Sequence, residues 1–300
     1  MALYAFDGTW NKPDLTSDPE HTRDTNVRRT WEAFEGTKRY IPGVGTRYGG
    51  LGHFIGGTFG AGAQKRLREA WHALAENWAA GDHVIDIVGF SRGAAMALVF
   101  ANIIKDHGVG VAGTKQQFPR RLSGLGWVRP YRKTIDDPKP RVRFLGLWDT
   151  VGSFGIPKSL IIPFQKIDLG FDLTVPTAIV DNCFHAISLD EKRETFRSTR
   201  VNGYEVWFRG VHSNVGGGYA DRGLSDIALR WMLDKAESCG LKFDLSKTDA
   251  LMPSIEGKIG EPMDPRTDSP RKLRPGDRVH PTTCECEGKR KIPDFAVTGE

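Results

Sequence analysis

Short apolar runs alternate along the chain with longer segments of helical periodicity. The runs that indicate buried β-strands are residues 3–6, 84–88, 142–148 and 204–208. The segments that indicate helices are residues 26–34, 63–80, 93–105 and 225–238, and residues 182–189 fit either a strand or a helix. Strands that alternate with helices predict a mostly parallel central sheet with helices on both faces, which is an α/β fold.

The same patterns predict one large domain with a tail. We expect the domain over residues 1–250, with insertions at about 106–141 and 153–180. The second insertion is apolar and contains proline, and we interpret it as lid-like rather than as ordinary packed loop. Residues 251–300 are rich in Pro, Gly and charge, which predicts an irregular C-terminal extension.

One serine lies in an unusual local sequence. Residues 89–93 read Gly-Phe-Ser-Arg-Gly, between the apolar run 84–88 and a helix that begins with small residues. This order is typical of a nucleophile elbow, a sharp turn that exposes the serine hydroxyl, with Gly89 and Gly93 avoiding a clash. Ser91 is therefore the candidate nucleophile, and the alternative is a glycine-rich turn that carries an inert serine.

Three other polar residues also follow apolar runs, namely Asp7, Asp149 and His212. Sites in parallel sheets lie beyond the carboxyl ends of the strands, so we expect these residues to converge with Ser91. The chain order Ser, Asp, His is the one found in α/β-hydrolases. We predict that His212 is the general base and that Asp149 accepts the hydrogen of its Nδ1.

Two alternatives for these roles stay open, together with the choice of oxyanion donors. His185 is the rival base, and Asp190 is the rival acid, although Asp190 lies in a charged run that is by default solvated. The oxyanion hole is predicted to use the backbone N–H of Arg92 and an N–H from the loop after the first strand. Gly8 and Thr9 are the candidates there, and a simple turn is the alternative.

The overall composition adds little that is specific. The chain has 300 residues, of which 39% are hydrophobic and 26% are charged, as in globular proteins. We find no secretory signal and no stretch long enough to span a membrane, and four cysteines are too few for a disulfide scaffold. We therefore expect synthesis in the cytoplasm. We also expect no cofactor or metal, because His280, Cys284 and Cys286 lack a fourth ligand.

Positive charge is concentrated in one segment. Residues 105–143 hold ten Lys or Arg side chains and three Asp, interleaved with Phe118, Leu122, Leu125, Trp127 and Tyr131. Basic and aromatic residues together suit an anionic lipid surface and would also suit nucleic acid. No nucleic-acid-binding motif accompanies them, so we predict peripheral contact with a membrane surface and no nucleic acid partner.

Five motifs together resemble a known family. They are Phe-Asp-Gly-Thr-Trp-Asn at 6–11, Thr-Asn-Val at 25–27, Gly-Phe-Ser-Arg-Gly-Ala at 89–94, Leu-Trp-Asp-Thr-Val-Gly at 147–152 and Val-His-Ser-Asn-Val-Gly-Gly-Gly-Tyr at 211–219. They resemble the α/β-hydrolase family best known through phospholipase effectors of the bacterial type VI secretion system, over about residues 3–236. The resemblance implies hydrolysis of phospholipid acyl esters, with Ser91 as nucleophile, Asp149 as acid and His212 as base.

The chain departs from this family in two respects. Asn214 stands where the family motif usually has Asp, and the effector members are longer. The expected function is a serine ester hydrolase, most simply a phospholipase that works through an acyl-enzyme and is exported by type VI secretion, with an immunity or secretion-carrier protein as partner. The alternatives are a carboxylesterase or thioesterase for small esters, and a non-catalytic interaction protein with this fold.

Overall fold

The computed structural model describes residues 1–8, 21–43, 57–110, 120–122, 126–128, 140–152, 172–193, 196–247, 271–284 and 297–298. The strands are β1 (Ala2–Phe6), β2 (His21–Thr25), β3 (Thr37–Ile41), β4 (Ile85–Phe90), β5 (Arg120–Leu122), β6 (Gly126–Val128), β7 (Val142–Trp148), β8 (Val180–Ser188), β9 (Tyr204–Phe208), β10 (Gly217–Tyr219), β11 (Arg278–Val279) and β12 (Val297–Thr298). The helices are α1 (Asn26–Ala33), α2 (Gly57–Ala79), α3 (Arg92–His107), α4 (His212–Gly216), α5 (Gly223–Ser238) and α6 (Pro281–Cys284).

Eight strands form one sheet in the order β3-β1-β4-β7-β8-β9-β11-β12. Each pairing between these neighbours is parallel, so the carboxyl ends of the strands share one edge of the sheet. The predicted α/β fold class with a mostly parallel sheet is confirmed. All but the last residue of the ambiguous segment 182–189 belongs to a strand, β8, which lies between β7 and β9 in the sheet.

The sheet is covered on both faces because side chains alternate along its strands. In β1, Tyr4 and Phe6 pack with the core under α2 and α3, while Leu3 and Ala5 pack with the core under α1 and α5. This is the two-residue period of an extended strand that is buried on both sides. The result is a three-layer structure, with two hydrophobic cores separated by the sheet.

Helix α1 connects the outer layer to the carboxyl edge of the sheet. Thr25 caps its N-terminus, accepting a hydrogen bond at Oγ1 from the backbone N–H of Arg28 at 3.1 Å. Asn26 Nδ2 donates to the carbonyl oxygens of Val215 and Ser225, at 2.8 and 3.0 Å. Because Val215 lies in α4 and Ser225 in α5, one amide fixes three helices relative to one another.

The C-terminal segment differs from its prediction. Residues 251–300 were expected to be irregular, yet the described part of them contributes β11 and β12 to the sheet and a turn of helix, α6. These strands have two residues each, too short for a hydrophobic period to reveal them. They are recognised only by their pairing in the folded chain, where β11 pairs with β9 and extends the sheet.

The two predicted insertions lie largely outside the described residues. Within the first, β5 and β6 form an antiparallel pair, and most of its basic and aromatic positions are not described. The lid-like stretch predicted at 153–180 is described only from residue 172 onward. Among the helices that the structure describes, none has the length and apolar character needed to cross a membrane.

Candidate active site

Ser91 lies in the sharp turn between β4 and α3. Its backbone has φ of 59° and ψ of −125°, a left-handed conformation that non-glycine residues rarely adopt. A Cβ at Gly89 would lie 2.7 Å from Cα of Ala94, and one at Gly93 would lie 2.3 Å from the carbonyl oxygen of Phe6. Glycine is thus required at both positions for α3 to pack this close to β4 and β1, and the turn holds Ser91 at the carboxyl edge of the sheet.

A chain of hydrogen bonds joins Ser91 to His212 and Asp149. Ser91 Oγ lies 2.8 Å from His212 Nε2, and His212 Nδ1 lies 2.6 Å from Asp149 Oδ2. The carboxylate only accepts, so Nδ1 carries the ring hydrogen and donates it to Asp149. This tautomer leaves Nε2 to accept the hydroxyl hydrogen of Ser91. The structure therefore brings together the three residues that the sequence predicts to act together.

His212 is held from several sides. It begins α4, and its backbone N–H donates to Glu191 Oε2 at 3.1 Å. Its ring lies 4.6 Å from that of Phe90 and 4.8 Å from that of Phe196, measured between centroids. Burial lowers the pKa of His212, and the charge of Asp149 offsets this only in part. The imidazole is consequently neutral at neutral pH, as a proton acceptor must be.

Asp149 follows β7 and is completely buried. Its Oδ1 accepts from the backbone N–H of Ser188 at 3.0 Å, and its Oδ2 accepts from the Ser188 hydroxyl at 2.9 Å. Arg271 Nη1 donates to Oδ1 at 2.5 Å and Nη2 donates to Oδ2 at 3.2 Å. Burial raises the pKa of Asp149, but the charge of Arg271 and the hydrogen bond from His212 outweigh it. The pKa of this carboxyl is held well below its ordinary value, so Asp149 is ionised.

The two rival residues make other contacts. His185 is buried with Nδ1 3.0 Å from Glu205 Oε1, and its Nε2 accepts the backbone N–H of Thr150 at 3.1 Å. Asp190 accepts the backbone N–H of Gly210 at 2.7 Å. In the part of the chain that the structure describes, neither residue takes the place of His212 or Asp149 in the chain of hydrogen bonds to Ser91.

The loop after β1 adjoins the elbow. The Asp7 carboxylate is buried and accepts from the hydroxyls of Thr25 and Tyr40, the former at 2.9 Å. It also accepts the backbone N–H of Gly8 at 2.6 Å, so this predicted oxyanion donor is bound to Asp7 in the structure. Thr9 lies outside the described residues. Arg92 is the first residue of α3, where backbone amides have no acceptor within the helix.

Asn214, the departure from the family motif, has a local structural role. Its Oδ1 accepts the backbone N–H of Val211 at 3.1 Å, at the start of α4. An amide oxygen makes this contact as well as a carboxylate does, so the substitution leaves the start of the helix supported. The carboxylate that accepts the backbone N–H of His212 comes instead from Glu191.

Sequence patterns miss two charged residues of this site. Glu191 lies in the run expected to be solvated, but it is buried and paired with Arg193 at 2.8 Å. Its position shortly after β8 is a signal, because strand ends gather at this edge. Arg271 lies in the segment predicted to be irregular, and no pattern in the sequence indicates its contact with Asp149.

Comparisons with known proteins agree with the motifs. Residues 3–235 match the family model described as the T6SS phospholipase effector Tle1-like catalytic domain. The uncharacterized protein YEL023C of Saccharomyces cerevisiae is 26% identical over an alignment of 164 residues, and the match covers 49% of this chain and 23% of that protein.

Two solved structures are also similar to this chain. One is an uncharacterized protein from Pseudomonas aeruginosa, with a TM-score of 0.47, 21% identity and coverage of 81% of this chain and 46% of that chain. The other is the Tle1 effector bound to the VgrG spike of the type VI secretion system, with a TM-score of 0.47, 21% identity and coverage of 73% and 51%. The chain thus spans about half the length of these solved proteins and about a quarter of the yeast relative.

Proposed function

This chain belongs to the Tle1-like catalytic domain family of type VI secretion phospholipase effectors, and we propose that it hydrolyses acyl esters of phospholipids with Ser91 as nucleophile. The observation that carries the proposal is the continuous hydrogen-bond chain from Ser91 Oγ through His212 to Asp149, with lengths of 2.8 and 2.6 Å. An elbow serine, a neutral histidine and an ionised carboxylate in this order are the components of acyl transfer.

In the first half of the proposed reaction, Ser91 Oγ attacks the ester carbonyl carbon while its proton passes to His212 Nε2. The imidazolium that forms is stabilised by the ionised Asp149, which keeps Nδ1 in place. The carbonyl oxygen becomes an oxyanion, which accepts hydrogen bonds from the amide of Arg92 and from an amide of the loop after β1. His212 then gives its proton to the leaving alcohol, and Ser91 retains the acyl group.

In the second half, His212 removes a proton from water, and the hydroxide attacks the acyl-enzyme carbonyl. The C–O bond to Ser91 breaks, the fatty acid leaves, and the proton returns from His212 to Ser91 Oγ. No atom beyond water is consumed, and the enzyme is regenerated. The residues of the site supply every proton transfer in this scheme.

Fatty acid release from phospholipid vesicles tests the proposal. Ser91→Ala is expected to abolish fatty acid release because it removes the nucleophilic Oγ. The thermal unfolding temperature should stay unchanged, because no other atom of the side chain is lost. Ser238→Ala is a matched control, since Ser238 is an exposed serine at the end of α5 and its hydroxyl bonds the carbonyl of Lys235. Full activity of Ser91→Ala would refute the assignment, and a wild-type chain that hydrolyses only small esters would favour a soluble esterase.

We further propose that the basic segment 105–143 brings the chain to anionic membranes. The proposal rests on the ten basic side chains of this segment, which are interleaved with aromatic residues. Raising the salt concentration should slow hydrolysis of anionic vesicles, because screening weakens attraction between the segment and the lipid headgroups. Hydrolysis of a short, monomeric ester should be unaffected. Equal salt sensitivity for both substrates would contradict the membrane role.

Membership of a family of type VI effectors also supports export with a carrier protein, which we propose for this chain. A carrier of the VgrG spike kind is the partner that we propose. The test is to follow a tagged chain in its native cells with the secretion apparatus intact and with it disabled. Appearance outside the cells only when the apparatus is intact supports export, and equal appearance in both strains contradicts it.

A further inference from the structure

We propose that Arg271 is a positioning residue for catalysis, which acts through Asp149 by fixing this carboxylate and balancing its charge. The inference rests on the proposed role of Ser91, His212 and Asp149. It extends the catalytic unit beyond residues 3–235, the part of the chain that matches the family model.

The guanidinium of Arg271 contacts both oxygens of Asp149. Nη1 lies 2.5 Å from Oδ1 and Nη2 lies 3.2 Å from Oδ2, so the ion pair is bidentate. Nη1 also donates to the carbonyl oxygen and the hydroxyl of Ser188, at 2.8 and 2.6 Å, and Nη2 donates to the carbonyl oxygen of Phe196. Since Ser188 itself donates to Asp149, Arg271 fixes both the carboxylate and a second residue that holds it.

The segment that carries Arg271 is itself anchored to the sheet. Asp277 accepts from Arg200 Nη2 at 2.7 Å and from the backbone N–H of Arg274 at 2.8 Å. The next two residues form β11, which pairs with β9, the strand that leads to His212. Arg271 therefore approaches the site from a fixed turn, and the side chain is only 11% exposed.

Charge is the second part of the role. Asp149 is completely buried, and a buried carboxylate is stable as an anion only when it is paired and hydrogen-bonded. His212 donates one hydrogen bond but is neutral in the resting enzyme, so Arg271 supplies the balancing positive charge. During acyl transfer His212 becomes positive as well, and the carboxylate then faces two cations.

The charges that face His212 set the pH dependence of this arrangement. Asp149 and Glu191 favour the imidazolium, and Arg193 disfavours it. Arg271 lowers the pKa of Asp149, and by Coulomb repulsion its positive charge on the far side of that carboxylate opposes a second positive charge on His212. Without Arg271 the charge of Asp149 acts on His212 uncompensated, which raises the pKa of the histidine. The acid limb of the pH–rate profile should then move to higher pH, by about one unit at the interaction strengths usual for such pairs.

The experiment compares Arg271→Met, Arg271→Lys and Arg274→Met by kcat, KM and the pH profile on a short ester. Arg274 has an exposed side chain three residues along the same turn, so Arg274→Met is the matched control. Arg271→Met should shift the acid limb upward and lower kcat by about 10- to 100-fold, as displaced catalytic groups do, with KM nearly unchanged. Arg271→Lys keeps the positive charge but loses the bidentate contact with Asp149, so it should lower kcat without shifting the acid limb.

A double-mutant cycle with Asp149→Asn tests that Arg271 acts through Asp149. In the Asp149→Asn background, Arg271→Met should have no further effect on the rate, because the group it positions is absent. An unshifted acid limb with wild-type kcat in Arg271→Met would overturn the inference. Should that variant fail to fold, wild-type kcat in Arg271→Lys would overturn it instead. A wild-type chain without ester hydrolysis would refute the proposed function rather than the role of Arg271.

Discussion

Asp149→Asn replaces a buried anion with an amide of nearly the same shape. In the wild-type chain the carboxylate accepts hydrogen bonds from His212, Ser188 and Arg271, and every one of these partners is a donor. The amide brings two hydrogens of its own to this set, so at least one contact becomes an unfavourable meeting of two donors. The simplest relief is the opposite tautomer of His212, in which Nδ1 accepts from the amide and Nε2 carries the hydrogen.

In that tautomer His212 cannot accept the proton of Ser91. The loss of this proton transfer determines how far kcat should fall. With the base in the wrong tautomer, kcat should fall about 10⁴-fold, as it does when the acid of such a triad is amidated. This corresponds to about 5 kcal/mol of lost transition-state stabilisation. Because Arg271 loses its carboxylate partner, the free energy of unfolding should also fall by about 3 kcal/mol.

The assay is steady-state hydrolysis of a short ester, with urea unfolding of the same samples. Asp190→Asn is the matched control, because Asp190 is the rival acid and accepts the backbone N–H of Gly210 at 2.7 Å. Losing that charged acceptor should change kcat by less than about threefold. If Asp190→Asn were the crippling substitution and Asp149→Asn were mild, the assignment of the acid would be wrong.

Three further outcomes follow from contacts in and around the site. Gly93→Ala should lower the free energy of unfolding by about 3 kcal/mol or more in urea unfolding, because its methyl would lie 2.3 Å from the carbonyl oxygen of Phe6; unchanged stability would contradict the packing. In the pH profile of kcat/KM, the acid limb should lie below about pH 6.5, the ordinary pKa of histidine. Burial lowers the pKa of His212, so activity is lost only as the pH falls through that lowered value; an acid limb above pH 6.5 would contradict the neutral resting state of His212. Asn26→Ala should cost about 2 kcal/mol, measured by thermal unfolding, because its amide bonds two buried carbonyl oxygens; a loss near zero would show those bonds to be unimportant.

The parts of the fold predicted from sequence are those with a strong local signal. Strands such as β4 and β7 are mostly apolar runs, each with one charged residue, and α5 follows a clear helical pattern, so the sheet and its layers follow from periodicity. The elbow is similarly local, because Gly89 and Gly93 are both required by backbone approach within a few ångströms. The rule that sites lie at strand ends then places Ser91, Asp149 and His212 at one edge.

What the sequence does not reveal depends on distant contacts. Arg271 lies 122 positions from Asp149 along the chain, and one arginine among many gives no sign of its partner. Glu191 is similarly concealed, because a run of charged residues is the usual mark of a solvated surface, whereas its side chain is buried against Arg193. The position of Glu191 shortly after β8 is its one signal in the sequence, and the contacts of both residues are seen only when β8 and the C-terminal segment are folded against the site.

The central claim is that Ser91 is a nucleophile activated by His212, and labelling with a fluorophosphonate probe tests it most directly. The probe reacts with activated serines, so mass spectrometry of the digested wild-type chain should find the adduct on Ser91. Labelling should disappear in Ser91→Ala and slow strongly in a His212→Ala variant, while Ser238→Ala should label like wild type. Absence of any adduct on Ser91 in the folded wild-type chain would contradict the account.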